Sequence, residues 1–322
     1  MILGLILCPD NRFDLSKRIL LTGVSSFTGC WFAKILHERG YEVVCPLPRE
    51  KIFYDDLKKE RLEFLPSGID VLFDCPFGSD LFIDLLDREF DLLCLHGSYV
   101  HDYGKNTFLF SEAISQNLRR VEEVLRKALA SAAKGVVWTS SVFENAVDLS
   151  ERNSRPPPWY RYALSKKVSG ISLQHLCWEN GMEFGRFVIS NPFGPLQDRK
   201  LGHHLAQSFL EQKSFELKTP HYVRDMIHVR HLASAYHRMV DSFFTPCPTT
   251  SLDPCEYVSS LLDFSKTFYG EFSQRLGYSC EVGFCDMDFI EPRSLANKTE
   301  VCNLIEDYDP DSCWDELLRY YE

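Results

Sequence analysis

Short apolar runs alternate with longer segments of helical periodicity over the first 190 residues of the chain. The apolar runs have the length of buried strands and cover residues 17–22, 41–45, 71–74, 91–95, 136–140 and 184–189. The intervening segments with helical spacing cover residues 27–39, 55–63, 79–87, 107–132 and 161–180. Alternation of strand and helix in units of roughly 20–45 residues predicts an α/β fold with a Rossmann-type, doubly wound parallel sheet.

The pattern becomes irregular after about residue 192. Short apolar pieces, a Pro/Cys/Ser-rich stretch and an acidic tail accompany three predicted helices, at 203–213, 232–243 and 258–276. We therefore expect a smaller mixed C-terminal lobe over the carboxyl ends of the strands, where open α/β sheets bind their ligands. The predicted organisation is an N-terminal extension (1–16), a Rossmann domain (17–190), and a substrate lobe with segments returning to the Rossmann domain (191–322).

The apolar start of the chain, residues 1–8, is short for a signal peptide and far too short to span a bilayer. We therefore expect no membrane association. The twelve cysteines include no Cys-x-x-Cys pair, and several lie inside apolar runs, as reduced thiols do. These features favour a cytoplasmic location.

Charge and histidine spacing narrow the classes of partner. The net charge is −11 and the isoelectric point is near 5.4. Such an acidic protein does not attract polyanions, so no nucleic acid partner is expected. The ten histidines do not fall at metal-ligand spacing on one predicted helix face, so no metal site is expected. A phosphorylated small ligand remains compatible with an acidic protein, because local arginines and backbone amides decide its binding.

The first predicted strand is followed by a glycine-punctuated turn, Ile19-Leu-Leu-Thr-Gly23-Val-Ser-Ser-Phe-Thr-Gly29. Gly23 permits a tight turn, and Gly29 lets the next helix pack close to the sheet, so the helix N-terminus presents free N–H groups to a pyrophosphate. Ser26 stands where the middle glycine of a dinucleotide-binding loop is usual. Two outcomes are open for this serine: its hydroxyl donates a hydrogen bond to the phosphate, or its side chain weakens binding.

The end of the second strand usually carries an acidic residue that binds the ribose 2′-hydroxyl of NAD. We place that position at Cys45, which is followed by Pro-Leu-Pro-Arg49. Because no carboxylate repels a 2′-phosphate there, and Arg49 is available to bind one, the predicted cofactor is NAD(P), with a preference for NADP. The alternative for Arg49 is a solvated loop cation. Asp74 closes the third strand and is a candidate to bind the adenine amino group, or else to cap the following turn.

Tyr162 and Lys166 are one helical turn apart, so their side chains lie on one face of a helix. An ammonium beside a phenol stabilises the phenolate and lowers its pKa, so that the tyrosine can exchange a proton with a substrate hydroxyl. Ser141 ends the run Val136-Val-Trp-Thr-Ser-Ser141 and is expected to hydrogen-bond the same substrate oxygen, with Ser140 as the alternative. Together these groups predict hydride and proton transfer at one carbon.

Five segments carry a resemblance to a known family: Thr22-Gly-Val-Ser-Ser-Phe-Thr-Gly29, Trp138-Thr-Ser-Ser-Val-Phe143, Tyr162-Ala-Leu-Ser-Lys166, Asn191-Pro-Phe-Gly-Pro195 and Val223-Arg-Asp-Met-Ile-His-Val-Arg-His-Leu-Ala233. With them the chain resembles the extended short-chain dehydrogenase/reductase family, in its NAD-dependent epimerase/dehydratase group acting on nucleotide sugars. The last of these segments is similar to one beside the nucleotide diphosphate in UDP-glucose 4-epimerases.

The resemblance implies a role for each matching position. The implied catalytic residues are Ser141, Tyr162 and Lys166; the implied cofactor residues are Gly23, Ser26, Phe27, Thr28, Gly29, Gly97 and Ile189; the implied nucleotide-sugar residues are Asn191, Arg224 and Arg293. An ion pair with a neighbour such as Asp225 is the alternative for Arg224. The resemblance further implies a homodimer joined through the helices at 107–132 and 161–180.

Departures from the family pattern alter the walls of the expected sugar pocket more than the cofactor site. The usual His-Leu-Ala-Ala after the fourth strand reads Leu95-His96-Gly97-Ser98, His231 replaces an acid, and Glu144 replaces a glycine. The Thr-Asp-Glu run of 4,6-dehydratases is absent, which disfavours dehydration. An epimerase and a keto-sugar reductase therefore stay open. A non-catalytic NAD(P)-binding relative and a reductase of a non-sugar carbonyl are the further alternatives.

Overall fold

The computed structural model describes residues 16–147, 156–287 and 291–322, so most of the predicted extension over 1–16 lies outside the described residues. Its centre is a seven-stranded sheet in the order β10-β6-β5-β4-β1-β2-β3, with every neighbouring pair parallel. The strands are β1 (Arg18–Leu21), β2 (Glu42–Pro46), β3 (Asp70–Leu72), β4 (Leu92–Leu95), β5 (Gly135–Ser141), β6 (Glu183–Ile189) and β10 (Ser251–Leu252). This order reverses beside β1, as in a doubly wound sheet, so the predicted fold class is confirmed.

Helices cover both faces of the sheet because alternate strand residues point to opposite sides. Ile19 and Leu21 join one apolar cluster, whereas Leu20 between them joins the other. The first face is packed by α1 (Phe27–Glu38) and α8 (Val229–Ser242), and the second by α3 (Asp80–Leu85), α5 (Val121–Ala130) and α6 (Pro158–Glu179). Helix α2 (Asp56–Glu63) follows β2, and α4 (Phe110–Asn117) packs beside α6.

The single helix predicted over 107–132 is wrong: the chain forms α4 and α5, separated by residues 118–120. Arg120 has a left-handed backbone (φ 48°), which no α-helix accommodates. The carbonyl of Arg119 packs on Gly78, where a Cβ atom would collide with it. The break therefore depends on a tertiary contact, and the continuous amphipathic pattern gave no sign of it.

The C-terminal region adds small sheets and an aromatic core. Strands β7 (Asn191–Phe193), β9 (Val223–His228), β12 (Tyr257–Ser260) and β14 (Ser294–Leu295) form one sheet, β8 (Phe215–Leu217) pairs with β13 (Val282–Phe284), and β11 (Pro254–Cys255) pairs with β15 (Thr299–Glu300). Helices α7 (Leu201–Leu210), α9 (Leu261–Leu276) and α10 (Pro310–Tyr321) enclose Phe193, Phe209, Phe264, Phe268, Phe272 and Trp314. Helix α8 and strand β10 return to the central sheet, so the boundary between lobes is not a single point in the sequence.

Within the described ranges, no helix is both long enough and apolar enough to cross a lipid bilayer.

Candidate functional site

The glycine turn between β1 and α1 lies against the end of β4. Gly23 has φ +78°, and a Cβ atom there would lie 2.7 Å from the amide nitrogen of Gly97. A Cβ atom at Gly29 would collide with the carbonyl oxygen of Gly23. The amide of Gly97 in turn donates to Thr22 Oγ1 at 2.8 Å. Both glycines are therefore required by close backbone approach, and the turn is fixed to the carboxyl edge of the sheet.

Ser26 is the N-cap of α1, and its hydroxyl is directed into the fold. Its Oγ donates to the carbonyl of Gly23 at 2.8 Å and accepts from the amide of Gly29 at 3.1 Å. His96 Nε2 lies 2.9 Å from the same oxygen and 3.2 Å from Thr28 Oγ1. The single hydroxyl proton of Ser26 is thus already engaged inside the protein.

The first-turn amides of Phe27 and Thr28 make no backbone hydrogen bond to the residues that the structure describes. Such orphan N–H groups at a helix N-terminus, with the positive end of the helix dipole, form an anion-binding surface. The turn can therefore hold a pyrophosphate through its backbone.

The predicted end of the second strand at Cys45 is wrong by one residue. Cys45 is fully buried and pairs with Val71 inside the sheet, and β2 continues to Pro46. The residue after the strand is the buried Leu47, so an acid is absent from this position under either placement.

Arg49 and Asp74 lie together at this edge. The carbonyl of Arg49 accepts a 3.1 Å hydrogen bond from the amide of Asp74, and both residues are exposed. Asp74 adopts a left-handed backbone (φ 54°), which turns the chain at the end of β3. Both predicted adenosine-side residues are therefore exposed at the carboxyl ends of β2 and β3.

Ser141 is the last residue of β5, and its hydroxyl lies close enough to the phenol of Tyr162 on α6 to act on the pKa of that phenol. The hydroxyl of Ser140, the alternative, is buried and makes no hydrogen bond to the residues that the structure describes. Burial raises the pKa of Tyr162, and the hydroxyl of Ser141 opposes that rise. The predicted lowering of this pKa by Lys166 is not seen in the protein alone, because desolvation dominates.

Lys166 is buried one turn further along α6. Its ammonium donates to Ser98 Oγ at 2.7 Å and to the carbonyl of Thr139 at 2.6 Å, and lies 4.3 Å from the ring centre of Trp138. Burial lowers the pKa of Lys166 to about 8, while the carboxylate of Glu144 acts in the opposite direction. The lysine is therefore held between the ends of β4 and β5.

Three further polar groups lie in this region, and the sequence predicted no specific contact for any of them. Ser98 follows β4 and receives a hydrogen bond from Lys166. Asn117, buried at the end of α4, accepts from the amide of Tyr99 at 2.9 Å and donates to Ser169 at 3.2 Å. Glu144 is only 4% exposed, and burial raises its pKa. The departures from the family pattern include Ser98 and Glu144, whereas Asn117 gave no local signal.

The predicted substrate residues lie on the facing lobe. Asn191 donates to the carbonyl of Asp225 at 3.2 Å, and Ile189, the last residue of β6, pairs with Ser141. The guanidinium of Arg224 contacts Glu291 at 3.0 Å, so its ion-pair partner is not the neighbouring Asp225. A cleft of about 170 Å³ lies beside it, lined by His221, Tyr222, Asp286 and Arg293. Arg293 thus lines the cleft, and the guanidinium of Arg224 stacks on its Tyr222 at 5.2 Å from the ring centre.

His231, which replaces the expected acid, is paired with Glu256 at 2.9 Å. Across the described ranges, His, Cys, Asp and Glu side chains do not gather in groups of three or more able to hold a metal ion.

Comparisons with known proteins agree with this geometry. Residues 19–247 match the model of the NAD dependent epimerase/dehydratase family. A search of curated protein sequences gave no match. Among solved structures, UDP-glucose 4-epimerase of Thermotoga maritima with UDP-glucose superposes with a TM-score of 0.69 at 14% identity, covering 94% of this chain and 98% of that one.

Two further structures are similarly close. A mutant of UDP-glucuronic acid 4-epimerase from Bacillus cereus, in complex with UDP-4-deoxy-4-fluoro-glucuronic acid and NAD, gives a TM-score of 0.72 at 16% identity, with 94% and 98% of the two chains covered. The Bordetella bronchiseptica enzyme WbmH, in complex with NAD+, gives 0.68 at 17% identity, with 95% and 98% covered. At these identities the likeness establishes the fold.

Proposed function

The chain belongs to the NAD-dependent epimerase/dehydratase family, and on that premise we propose that it is an NAD(P)-dependent epimerase or keto-reductase of a nucleotide-activated sugar. The observation that carries the proposal is the convergence of the Ser141–Tyr162 contact, the buried Lys166 and the glycine turn on one edge of the sheet. The solved structures of this fold that bind UDP-sugars and NAD support the same ligand classes.

The residues present fit a nicotinamide dinucleotide. The amides of Phe27 and Thr28 would hold its pyrophosphate, and Gly23 and Gly97 leave backbone, not side chain, along the crevice. Lys166 would bind the nicotinamide ribose, and Ile189 would lie near the ring. When bound, the nicotinamide supplies a hydride acceptor or donor.

Tyr162 moves the proton in this proposal. Its raised pKa keeps the phenol protonated at neutral pH, the form that donates a proton to a substrate carbonyl oxygen. Ser141 lies beside the phenol and would share the same substrate oxygen. The chain alone is thus set to act as an acid, which suits reduction of a keto sugar and the second half of an epimerisation.

The exposed Arg49, and the lack of an acid over residues 45–49, support a preference for NADP over NAD. Reductase activity, which takes a soluble reduced cofactor, would accord with that preference. The Arg224 segment, similar to that of 4-epimerases, supports epimerisation instead. Comparing the dissociation constants of NADH and NADPH for wild type and Arg49→Ala tests the preference: it predicts tighter binding of NADPH and a selective loss of that advantage in the variant.

The family match supports an enzyme over a non-catalytic NAD(P)-binding relative, and Ser26, one of the two motives for that alternative, is bonded inside the turn. The substrate class rests on the cleft that Arg293 lines and on the neighbouring Arg224. A nucleoside diphosphate bound there would replace Glu291 as the partner of Arg224. Failure of any nucleotide diphosphate to raise the melting temperature would favour a non-sugar carbonyl substrate.

We also propose a cytoplasmic homodimer. Ile171 is 59% exposed and Trp178 is 75% exposed on the outer face of α6, a face that a second copy would cover. The described cysteines are free and most are buried, which accords with a reducing compartment.

Tyr162→Phe tests the proposed function directly. We expect turnover across a panel of nucleotide sugars and their keto forms to fall by about 10²–10⁴-fold, the usual contribution of a general acid–base group. Cofactor affinity, measured by nicotinamide fluorescence, should stay nearly unchanged. Tyr160→Phe on the same helix is the matched control and should retain turnover. Turnover in Tyr162→Phe equal to wild type would reject the assignment.

A further inference from the structure

His96 lies beneath the first turn of α1, immediately after β4. Its Nε2 atom is 2.9 Å from Ser26 Oγ and 3.2 Å from Thr28 Oγ1. The ring packs edge-on against Phe32, with centroids 5.1 Å apart. A Cβ atom at Gly23 would lie 3.1 Å from its Cδ2 atom. The imidazole therefore touches the turn at the serine, the threonine and the first glycine.

The hydrogen bonds of Ser26 show which nitrogen of the His96 imidazole carries the proton. Ser26 Oγ donates its only proton to the carbonyl of Gly23 and accepts from the amide of Gly29. The contact with His96 therefore requires that Nε2 carry hydrogen and donate. Burial lowers the pKa of His96 to about 3, so the ring is neutral at physiological pH and has one N–H to give. Nδ1 is then the bare nitrogen, and it has no hydrogen-bond partner among the described groups.

At the middle position of the turn, a donor such as His96 adds a third inward contact to the serine hydroxyl. Glycine at that position would leave only backbone, whereas serine brings a hydroxyl beside the surface on which a pyrophosphate would lie. The donor at His96 gives this hydroxyl a partner on the inner side, and does the same for Thr28. A neutral donor achieves this without adding charge to the pocket.

We propose that His96 is a positioning residue of the cofactor turn: its N–H holds the hydroxyls of Ser26 and Thr28 inward, so that the first-turn amides alone face the pyrophosphate. The inference rests on the proposed function, because it concerns the same dinucleotide site. Ser26 and His96 then form a matched pair, in which the histidine makes the serine compatible with cofactor binding.

A double-mutant cycle tests the pairing, with the dissociation constants of NADH and NADPH and the melting temperature of the ligand-free protein as readouts. His96→Leu should weaken binding about five- to tenfold, the effect of a lost buried hydrogen bond. Ser26→Gly alone should change binding by less than about threefold, since a glycine needs no donor. In the double variant, affinity should recover toward wild type. His96→Gln keeps an N–H donor and should retain affinity, and His101→Leu, an exposed histidine in the loop after β4, is the control.

Each outcome decides the inference. An affinity of His96→Leu within twofold of wild type, or single-variant effects that multiply in the double variant, would overturn it. If His96→Leu does not fold, His96→Gln and Thr28→Val carry the test: the first must retain affinity and the second must lose it severalfold. A wild-type protein that binds neither dinucleotide rejects the proposed function itself, whereas binding with no effect at His96 rejects only the role of this residue.

Discussion

Three ionisable residues meet at the end of β5: the half-buried Tyr162 and the buried Lys166 and Glu144. Burial raises the pKa of the tyrosine and lowers that of the lysine to about 8, so both shifts disfavour charge. The pKa of Glu144 is also raised, because the effect of burial exceeds that of the cationic neighbours Lys166, Lys167 and Arg186. Glu144 Oε2 lies 3.5 Å from Nη1 of Arg186. The carboxyl therefore sits in the site at a cost in stability.

Glu144→Gln should stabilise the protein in a pH-dependent way. The folded-state pKa of Glu144 lies above its ordinary 4.5, so the folded state holds the proton longer, and wild-type stability falls as pH rises through that folded pKa. Glutamine has no proton to lose. We expect the melting temperature of the variant to exceed that of wild type increasingly from acid to neutral pH. A difference in melting temperature that shrinks as pH rises would contradict this account. Glu112→Gln, at an exposed position of α4, is the control.

At the scale of elements, the site depends on how closely α6 approaches β5. Gly170 on α6 lies over the indole of Trp138, where a Cβ atom would be 3.0 Å from Nε1. The ammonium of Lys166 also lies over that indole, 4.3 Å from the ring centre. A small residue on the helix thus sets the position of the ring beside the lysine.

Gly170→Ala should destabilise the protein by about 1–3 kcal/mol through overpacking, despite the better helix propensity of alanine. Gly270 on α9 is the matched control, because a Cβ atom there meets nothing within 4 Å. Gly270→Ala should instead stabilise by about 0.5–1 kcal/mol. Denaturant unfolding of the two variants measures both values, and equal effects at the two positions would contradict the packing described.

Elements were predictable where local pattern dictates them. The buried strands of the sheet and the glycine turn follow from apolar runs and from backbone freedom at Gly23. The break before Arg120 was not predictable, because it depends on Arg119 packing against Gly78 and involves neither glycine nor proline in the helix itself. The inward bonding of Ser26 was likewise not predictable, because one of its contacts is His96, 70 residues away in the sequence.

At the scale of the whole molecule, a buried polar network links α8, which packs against the central sheet, to elements of the C-terminal lobe. His231 on α8 pairs with Glu256 at 2.9 Å and accepts from the amide of Asp309 at 3.2 Å. The other carboxyl oxygen of Glu256 accepts from the amide of His228, and its own amide donates to Asp225. The network joins α8, β9, the segment before β12 and the start of α10. From the sequence, only the absence of an acid at position 231 was visible. The partner of His231, Glu256, lies in a different segment of the chain.

His231→Ala should lower the free energy of unfolding by about 1–3 kcal/mol, since it removes the partner of one oxygen of the buried Glu256 carboxylate and of the Asp309 amide. The exposed His204→Ala should leave stability unchanged. Denaturant midpoints at constant slope compare the two. Equal midpoints would mean that the network does not hold the lobes.

Transfer of deuterium between cofactor and sugar tests the central claim most directly. Reduced nicotinamide deuterated at C4 is mixed with keto forms of nucleotide sugars, and carbinol-deuterated nucleotide sugars with the oxidised cofactor, and mass spectrometry follows the label. We predict that the wild-type protein moves deuterium between the nicotinamide and the sugar carbon, and that Tyr162→Phe binds cofactor equally but transfers label at least about 100-fold more slowly. Bound cofactor with no label transfer in either direction, or equal transfer in the variant, would contradict the account.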